Sequence, residues 1–451
     1  MEIRYTLMHR DTPVTDLVLD DGYLVRLERT HAIEHAPLGT TNMLDRIGEK
    51  EMRFWLQRRA IPNMRTNLAK ALEDFGMISP VSALESNLGL SLSDTYWLRP
   101  QSTRDVTWAD INLFDNDFAP HSRQKNGQIV LTADASSSGR QEKHWAIGKD
   151  GQRYLIKFAD GRHASQPCNE RIASSFARAL DYPHIPYTTR RIDGRMASIC
   201  PCAVTGDEDY VCAYDILQTQ KVPMPRPDND LAWLRSQYEQ NGIDFESFAE
   251  QQSLVDVAIR NEDRHWSNFG IVRDAQTLRW KRAMPLFDFG NSLWFDSATD
   301  AREPTSMFSG RVLMQDIDYV RSISTRQMSA IRQLPDMSRH ILRESGMPHE
   351  TQTSIVRDFE QRCSTIERKL IVKLEADQRC HNCQNGSTTY TRTSRPSTSE
   401  RASPARSRDS GDAQPSSRQG SSPSSISEAR TAIPYREPSS APTRSAESEV
   451  T

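Results

Sequence analysis

Residues 261–290 read N-E-D-R-H-W-S-N-F-G-I-V and, after a polar interval, P-L-F-D-F-G. Asp263 and Asn268 stand in a D-x-x-x-x-N spacing, and Asp288 opens a D-F-G further on. The preceding run S-L-V-D-V-A-I-R reads as a helix, while F-G-I-V-R-D and R-A-M-P-L-F-D read as two strands. This order constrains the fold. A helix delivers a polar loop, and a β-hairpin returns the chain so that Asp288 stands beside it. Phosphoryl transfer needs an acidic group next to the attacking hydroxyl and oxygen ligands for the Mg²⁺ that bridges the nucleotide phosphates. Asp263 meets the first need; Asn268 and Asp288, as hard oxygen donors, meet the second. Asp and Asn also favour turns, so each residue alone would fit an ordinary loop. Their joint order and spacing makes phosphoryl transfer with ATP and Mg²⁺ the leading expectation.

A β-rich stretch followed by a helical one, with the motif at the junction, implies an α+β chain with a two-lobed cleft. Residues 1–125 form an N-terminal α+β extension. There L-V-L-D-D-G-Y-L-V-R-L reads as a hairpin, and two segments stopping at Pro62 and Gly76 read as helices. Trp97, Trp108 and Phe114 are expected to pack rather than bind a ligand. Residues 126–225 form a β-rich nucleotide-binding lobe. It has a hairpin about Asp150-Gly151, an amphipathic helix N-E-R-I-A-S-S-F-A-R-A-L, and further strands in R-R-I-D-G-R-M-A-S-I-C and D-Y-V-C-A-Y-D-I-L. Residues 226–378 form a helical catalytic lobe.

From Gln384 onward the chain has no Leu, Phe, Trp or Met, and Ser, Thr, Pro, Arg and Glu dominate. Such a segment cannot bury enough apolar surface to offset its conformational entropy, so 379–451 is expected to be a disordered tail. A net charge of −3 lacks the footprint of a general nucleic-acid-binding protein. No run approaches the apolar length of a membrane span, and the N-terminus shows no signal sequence. Seven cysteines, in no compact framework, fit reduced thiols in the cytoplasm. C-H-N-C at 380–383 is half of a zinc site at most, and incidental thiols are the expectation.

Lys157, in R-Y-L-I-K-F, sits among apolar neighbours on a strand, where an unpaired charge is costly. Glu170 on the following helix can supply its partner, the pairing that lets a strand lysine grip nucleotide phosphates. Glu170 also stands near a helix start, where acids are favoured in any case. The segment S-S-S-G-R-Q-E-K at 136–143 lies where a phosphate-covering loop belongs. With one glycine it fails G-x-G-x-x-G, and on composition alone it reads as a flexible polar turn; yet Ser136, Ser137, Ser138 and the backbone at Gly139 could cradle phosphate, with charge from Lys143 or Arg140.

N-E-D-R-H-W-S-N-F with P-L-F-D-F-G, and S-S-S-G-R-Q-E-K before the lysine, resemble the HipA family of bacterial serine/threonine protein kinases over roughly 130–375. The resemblance implies a protein-kinase-like fold, Asp263 as catalytic base, Asn268 and Asp288 as magnesium ligands, and Lys157 on the nucleotide phosphates. In that family a phosphate-loop serine is autophosphorylated, which switches the enzyme off; the matching position is Ser136. The resemblance also implies a protein substrate and an antitoxin-like partner. A full D-F-G, a different N-terminal region and the Ser/Arg-rich tail depart from the family, so its substrate, a tRNA synthetase, is not carried over.

His265 is expected to pack against the loop or to hydrogen-bond Asp288 or backbone. Arg264 is expected to pair with a carboxylate or a phosphorylated residue in 291–310. The D-R-H-x-x-N and D-F-G order also resembles phosphatidylinositol kinases and small-molecule phosphotransferases. No basic or amphipathic membrane surface is visible to favour a lipid acceptor. A non-catalytic kinase-fold interaction module in a toxin–antitoxin-like system is the remaining alternative.

Overall fold

The computed structural model describes residues 1–60, 81–118, 124–125, 128–129, 132–134, 141–159, 164–220, 227–293 and 302–385. Strands β1 (Glu2–His9), β2 (Thr12–Asp20) and β3 (Tyr23–Thr30) form a meander, and β4 (Tyr96–Pro100) adds to β1, giving the antiparallel order β3-β2-β1-β4. Asp21 and Gly22 turn the β2–β3 hairpin with φ of 48° and 81°, the positive values a tight hairpin demands. Tyr5, Leu7, Leu17 and Leu19 face Met52, Trp55 and Leu56 of helix α1 (Glu49–Arg59) in one core. In chain order the short helix α2 (Ser82–Ser86) comes between α1 and β4. Trp97 and Trp108, the latter on the short α3 (Trp108–Ile111), anchor a second cluster to which Phe114 packs. The helix expected to end at Gly76 lies outside the described residues.

Two short strands, β5 (Gln124–Lys125) and β6 (Gln128–Ile129), pair with each other. The next sheet has the order β7-β8-β10-β9, from β7 (Lys143–Ile147), β8 (Arg153–Phe158), β9 (Thr188–Ile192) and β10 (Arg195–Pro201). Helix α4 (Gln166–Ala179) packs on it, burying Ile172, Ala173 and Phe176.

The segment D-Y-V-C-A-Y-D-I-L does not complete this sheet. Strand β11 (Glu208–Cys212) instead pairs with β12 (Gly270–Asp274), which pairs with β13 (Trp280–Ala283), and A-Y-D-I-L is helix α5 (Ala213–Leu217). The physical reason is visible at Gly270: a Cβ there would fall 2.1 Å from the Val211 carbonyl oxygen. Only glycine permits β11 to lie so close to the strand that leaves the Asp263–Asn268 loop.

Helices α6 (Pro227–Gln240) and α7 (Phe245–Ile259) precede that loop, and α8 (Thr325–Leu342) and α9 (His349–Asn385) follow the D-F-G region. Ile259, Phe289, Ile331, Phe359 and Ile366 share one core with Ile172 and Phe176 of α4. Helix α9 runs past residue 378, so Cys380 and Cys383 fall on its last turns. The rest of the expected tail, 386–451, lies outside the described residues. The architecture is α+β, with the two four-stranded sheets in the first half and most of the long helices in the second. No described helix is long and apolar enough to cross a membrane.

The N-terminal sheet is fastened to β11 and β12 by buried polar groups. His9 Nε2 lies 2.8 Å from Asp209 Oδ2, and Arg273 donates Nε to the same oxygen at 3.0 Å. Thr95 gives its backbone N–H and hydroxyl to Asp209 Oδ1, both at 2.9 Å. Arg273 Nη2 reaches the Tyr96 hydroxyl at 2.7 Å, and the His9 ring stacks on Tyr96 with centroids 4.2 Å apart.

Candidate active site

Lys157 is on β8, an inner strand, and is buried; it is not an edge-strand lysine facing water. Its Nζ donates to Glu170 Oε1 at 2.8 Å and to Asp288 Oδ1 at 2.7 Å. The face of Tyr187 lies 5.6 Å away. Glu170, on α4 and fully buried, uses its second oxygen to accept the Phe289 backbone N–H at 2.9 Å. One carboxylate therefore holds both the strand lysine and the D-F-G backbone.

Burial works against the Lys157 charge, but Asp288 and Glu170 hold its pKa well above the ordinary lysine value. Burial likewise opposes ionisation of Asp288. Lys157, with further charge from Lys143 and Arg264, outweighs it and holds the carboxyl well below the usual range. Burial pushes the Glu170 carboxyl up despite Lys157. Of the two acids, Asp288 is thus the firmly ionised one. Lys143 on β7 stands opposite Lys157 in register. Asp288 has φ 59°, an uncommon left-handed backbone for a residue with a side chain. Phe289 beside it is fully buried in the helical core.

Helix α7 ends with Arg260 in the left-handed conformation, φ 53°, which turns the chain into the loop. Asn261 Nδ2 then donates to Asp256 Oδ1 at 2.8 Å, and Asn261 Oδ1 accepts the Asp263 N–H at 3.1 Å. Asp263 presents a half-exposed carboxylate. Burial raises its pKa; His265 counters this, and the nearby Asp288 charge adds to it. Asn268 turns its Nδ2 back to the Asp263 carbonyl at 2.9 Å. Among the described residues nothing donates to Asn268 Oδ1 or to Asp288 Oδ2.

Those two free oxygens are the fit test for a divalent cation. They are hard oxygen donors, one amide and one carboxylate, and the second belongs to the residue whose Oδ1 holds Lys157. Among the described residues no group of three or more His, Cys, Asp or Glu could hold a metal by itself. Mg²⁺, which keeps waters and shares its shell with substrate phosphates, suits such a sparse protein set.

Arg264 pairs with a carboxylate, but from upstream: Nε and Nη2 reach Asp256 on α7. His265 accepts the Ser267 N–H on Nδ1 at 3.2 Å, and its Nε2 lies 4.0 Å from Asp263 Oδ1. Ser136, Ser137, Ser138 and Gly139 lie outside the described residues. Sequence reasoning passed over Asn291, which donates to Asp263, and over Gln166 and Asn169, which hold Asn291 and the residues beside it. Their signal was the N-S directly after D-F-G and the Q-P-C-N opening α4.

A strand lysine, a helix glutamate and a D-F-G aspartate joined in one cluster define a kinase-like arrangement. No protein-family model and no curated protein matches the chain. Solved structures similar to it include the Helicobacter pylori proinflammatory kinase CtkA, at 12% identity over 53% of this chain and 93% of that one, TM-score 0.41. Another is HipA of the Shewanella oneidensis MR-1 toxin–antitoxin system, solved with HipB and operator DNA: 12% identity, 82% of this chain and 98% of that one, TM-score 0.49. A third is the amicoumacin kinase hAmiN with AMP-PNP and Ca²⁺, at 12% identity, 52% and 87% coverage, TM-score 0.17. At this identity the likeness concerns the chain's path alone, and residue roles rest on the geometry above.

Proposed function

We propose that the chain is an ATP- and Mg²⁺-dependent phosphotransferase, of the HipA-like serine/threonine protein kinase type. The observation that carries this reading is Lys157 Nζ, bonded at once to Glu170 at 2.8 Å and to Asp288 at 2.7 Å beside the Asp263–Asn268 loop. Lys157 would bind nucleotide phosphates, held in place by Glu170, and Lys143 would add charge from the neighbouring strand. Asn268 Oδ1 and Asp288 Oδ2 would hold Mg²⁺, which when bound neutralises charge on the transferring phosphoryl group. Asp263 would accept the proton of the attacking hydroxyl; burial raises its pKa towards the range a general base uses. Ser136 to Ser138 and Gly139 would cover the phosphates, and a serine there would be a site of self-phosphorylation. A protein acceptor and an antitoxin-like partner belong to the same reading.

Incubation with labelled ATP and Mg²⁺ tests it. Label should appear on polypeptide serine or threonine and disappear in Asp263→Ala and Asp288→Ala, with Asp263→Ala still folded. Label found on lipid or a small molecule but on no polypeptide would sink the protein-kinase assignment. Absence of any transfer, with nucleotide unbound, would return the chain to an interaction module.

A further inference from the structure

Asp263 has a side-chain donor, and that donor is held in turn by helix α4. Asn291 Nδ2 donates to Asp263 Oδ2 at 2.8 Å, and Asn291 Oδ1 accepts from Gln166 Nε2 at 2.9 Å. The Asn291 carbonyl accepts the Glu262 N–H at 3.1 Å, so the residue is gripped at three points. Asn169, one turn into α4, donates Nδ2 to the carbonyls of Gly290 at 2.9 Å and Ser292 at 2.6 Å, on either side of Asn291. Glu170 is the next residue, and it holds Lys157 and the Phe289 N–H.

We propose that Asn291 is a positioning residue for Asp263, held in its orientation by Gln166 at the start of α4. This rests on the phosphotransfer reading above. An ionised carboxylate accepts only donors, so the Asn291 NH₂ must face Asp263 and its oxygen must face a second donor. Gln166 supplies that donor. With Oδ2 occupied, Asp263 Oδ1 is left as the oxygen that meets an acceptor hydroxyl.

The test uses the full chain and Mg²⁺·ATP at one neutral pH, with kcat and the KM for ATP measured separately. The variants are Asn291→Ala and Gln166→Ala. Asn291→Ala should lower kcat about tenfold and leave the KM for ATP within about twofold. Gln166→Ala should act in the same direction and less strongly; it carries the test should Asn291→Ala not fold. A folded variant with unchanged kcat overturns the relay, as does a raised KM with unchanged kcat. If the wild type transfers no phosphate, the phosphotransfer reading falls and the relay with it; if the wild type transfers and both folded variants keep its kcat, the relay alone falls.

Discussion

Arg264 holds Asp256 by two parallel hydrogen bonds, Nε to Oδ2 at 2.9 Å and Nη2 to Oδ1 at 3.0 Å, with both side chains buried. Its remaining nitrogen donates to the carbonyls of Asn268 at 2.7 Å and Phe287 at 2.6 Å, and the guanidinium lies over the Phe289 ring at 4.9 Å. One side chain thus ties α7, the Asp263 loop and the D-F-G together. Truncating one partner of a buried pair leaves the other charge stranded. Arg264→Ala should therefore cost about 3–5 kcal/mol in denaturant unfolding. Arg264→Lys should recover only part of it, because a lysine cannot reproduce the fork. A loss below about 1 kcal/mol in Arg264→Ala would show that the anchor is dispensable.

Acid should weaken the fold through Asp288 and Asp209. Burial opposes ionisation of both. Asp288 is nevertheless depressed by Lys157, and Asp209 by its hydrogen bond to His9 and the His9 and Arg273 charges. A depressed carboxyl contributes stability that is complete above its unfolded value near about 4 and is lost as pH falls through its folded value. Melting temperature should fall on acidification below about pH 4. In Lys157→Met the two facing acids lose their cation, so the deficit relative to wild type should be largest at neutral pH and shrink in acid. A deficit independent of pH would show that the lysine does not set these charges.

Mg²⁺ and a non-hydrolysable ATP analogue should stabilise the protein together. Saturation at about 100 times Kd corresponds to about 2.7 kcal/mol. Asp288→Asn and Lys157→Met should each abolish most of the melting shift. A shift that survives Asp288→Asn unchanged would place the nucleotide elsewhere.

Asp209 is the hub of the N-terminal attachment, accepting from Thr95 and Arg273 while paired with His9. Asp209→Ala strands Arg273 and His9 in the interior and should cost about 3–5 kcal/mol. Limited proteolysis should then cut the segment between β3 and β4 sooner than in wild type. Equal cleavage rates would mean that apolar packing alone holds the sheet.

The Lys157–Glu170 pair was legible because a charge on an apolar strand needs a partner, and the two residues do meet, with Asp288 on the same ammonium. Hairpins marked by Asp21-Gly22 and Asp150-Gly151, and the inward packing of Trp97 and Trp108, were equally plain. Strand β11 was misplaced because alternation reports that a segment is a strand and not which sheet it joins. That choice is made by Gly270, whose missing side chain admits the neighbour. Asn291 escaped notice because an amide beside a loop acquires meaning only from what stands opposite it. Arg264 was expected to pair with a carboxylate or with a phosphorylated residue in 291–310; the carboxylate is that of Asp256, behind it on α7.

His9 and Asp209 are separated by 200 positions in the chain. At a synthesis rate of about 5–20 residues per second, the imidazole waits roughly 10 to 40 s for its carboxylate to emerge. The first sheet is complete once Pro100 is made, yet the polar contacts that fasten it to the rest of the chain close only after the strands on either side of the Asp263–Asn268 loop have been translated.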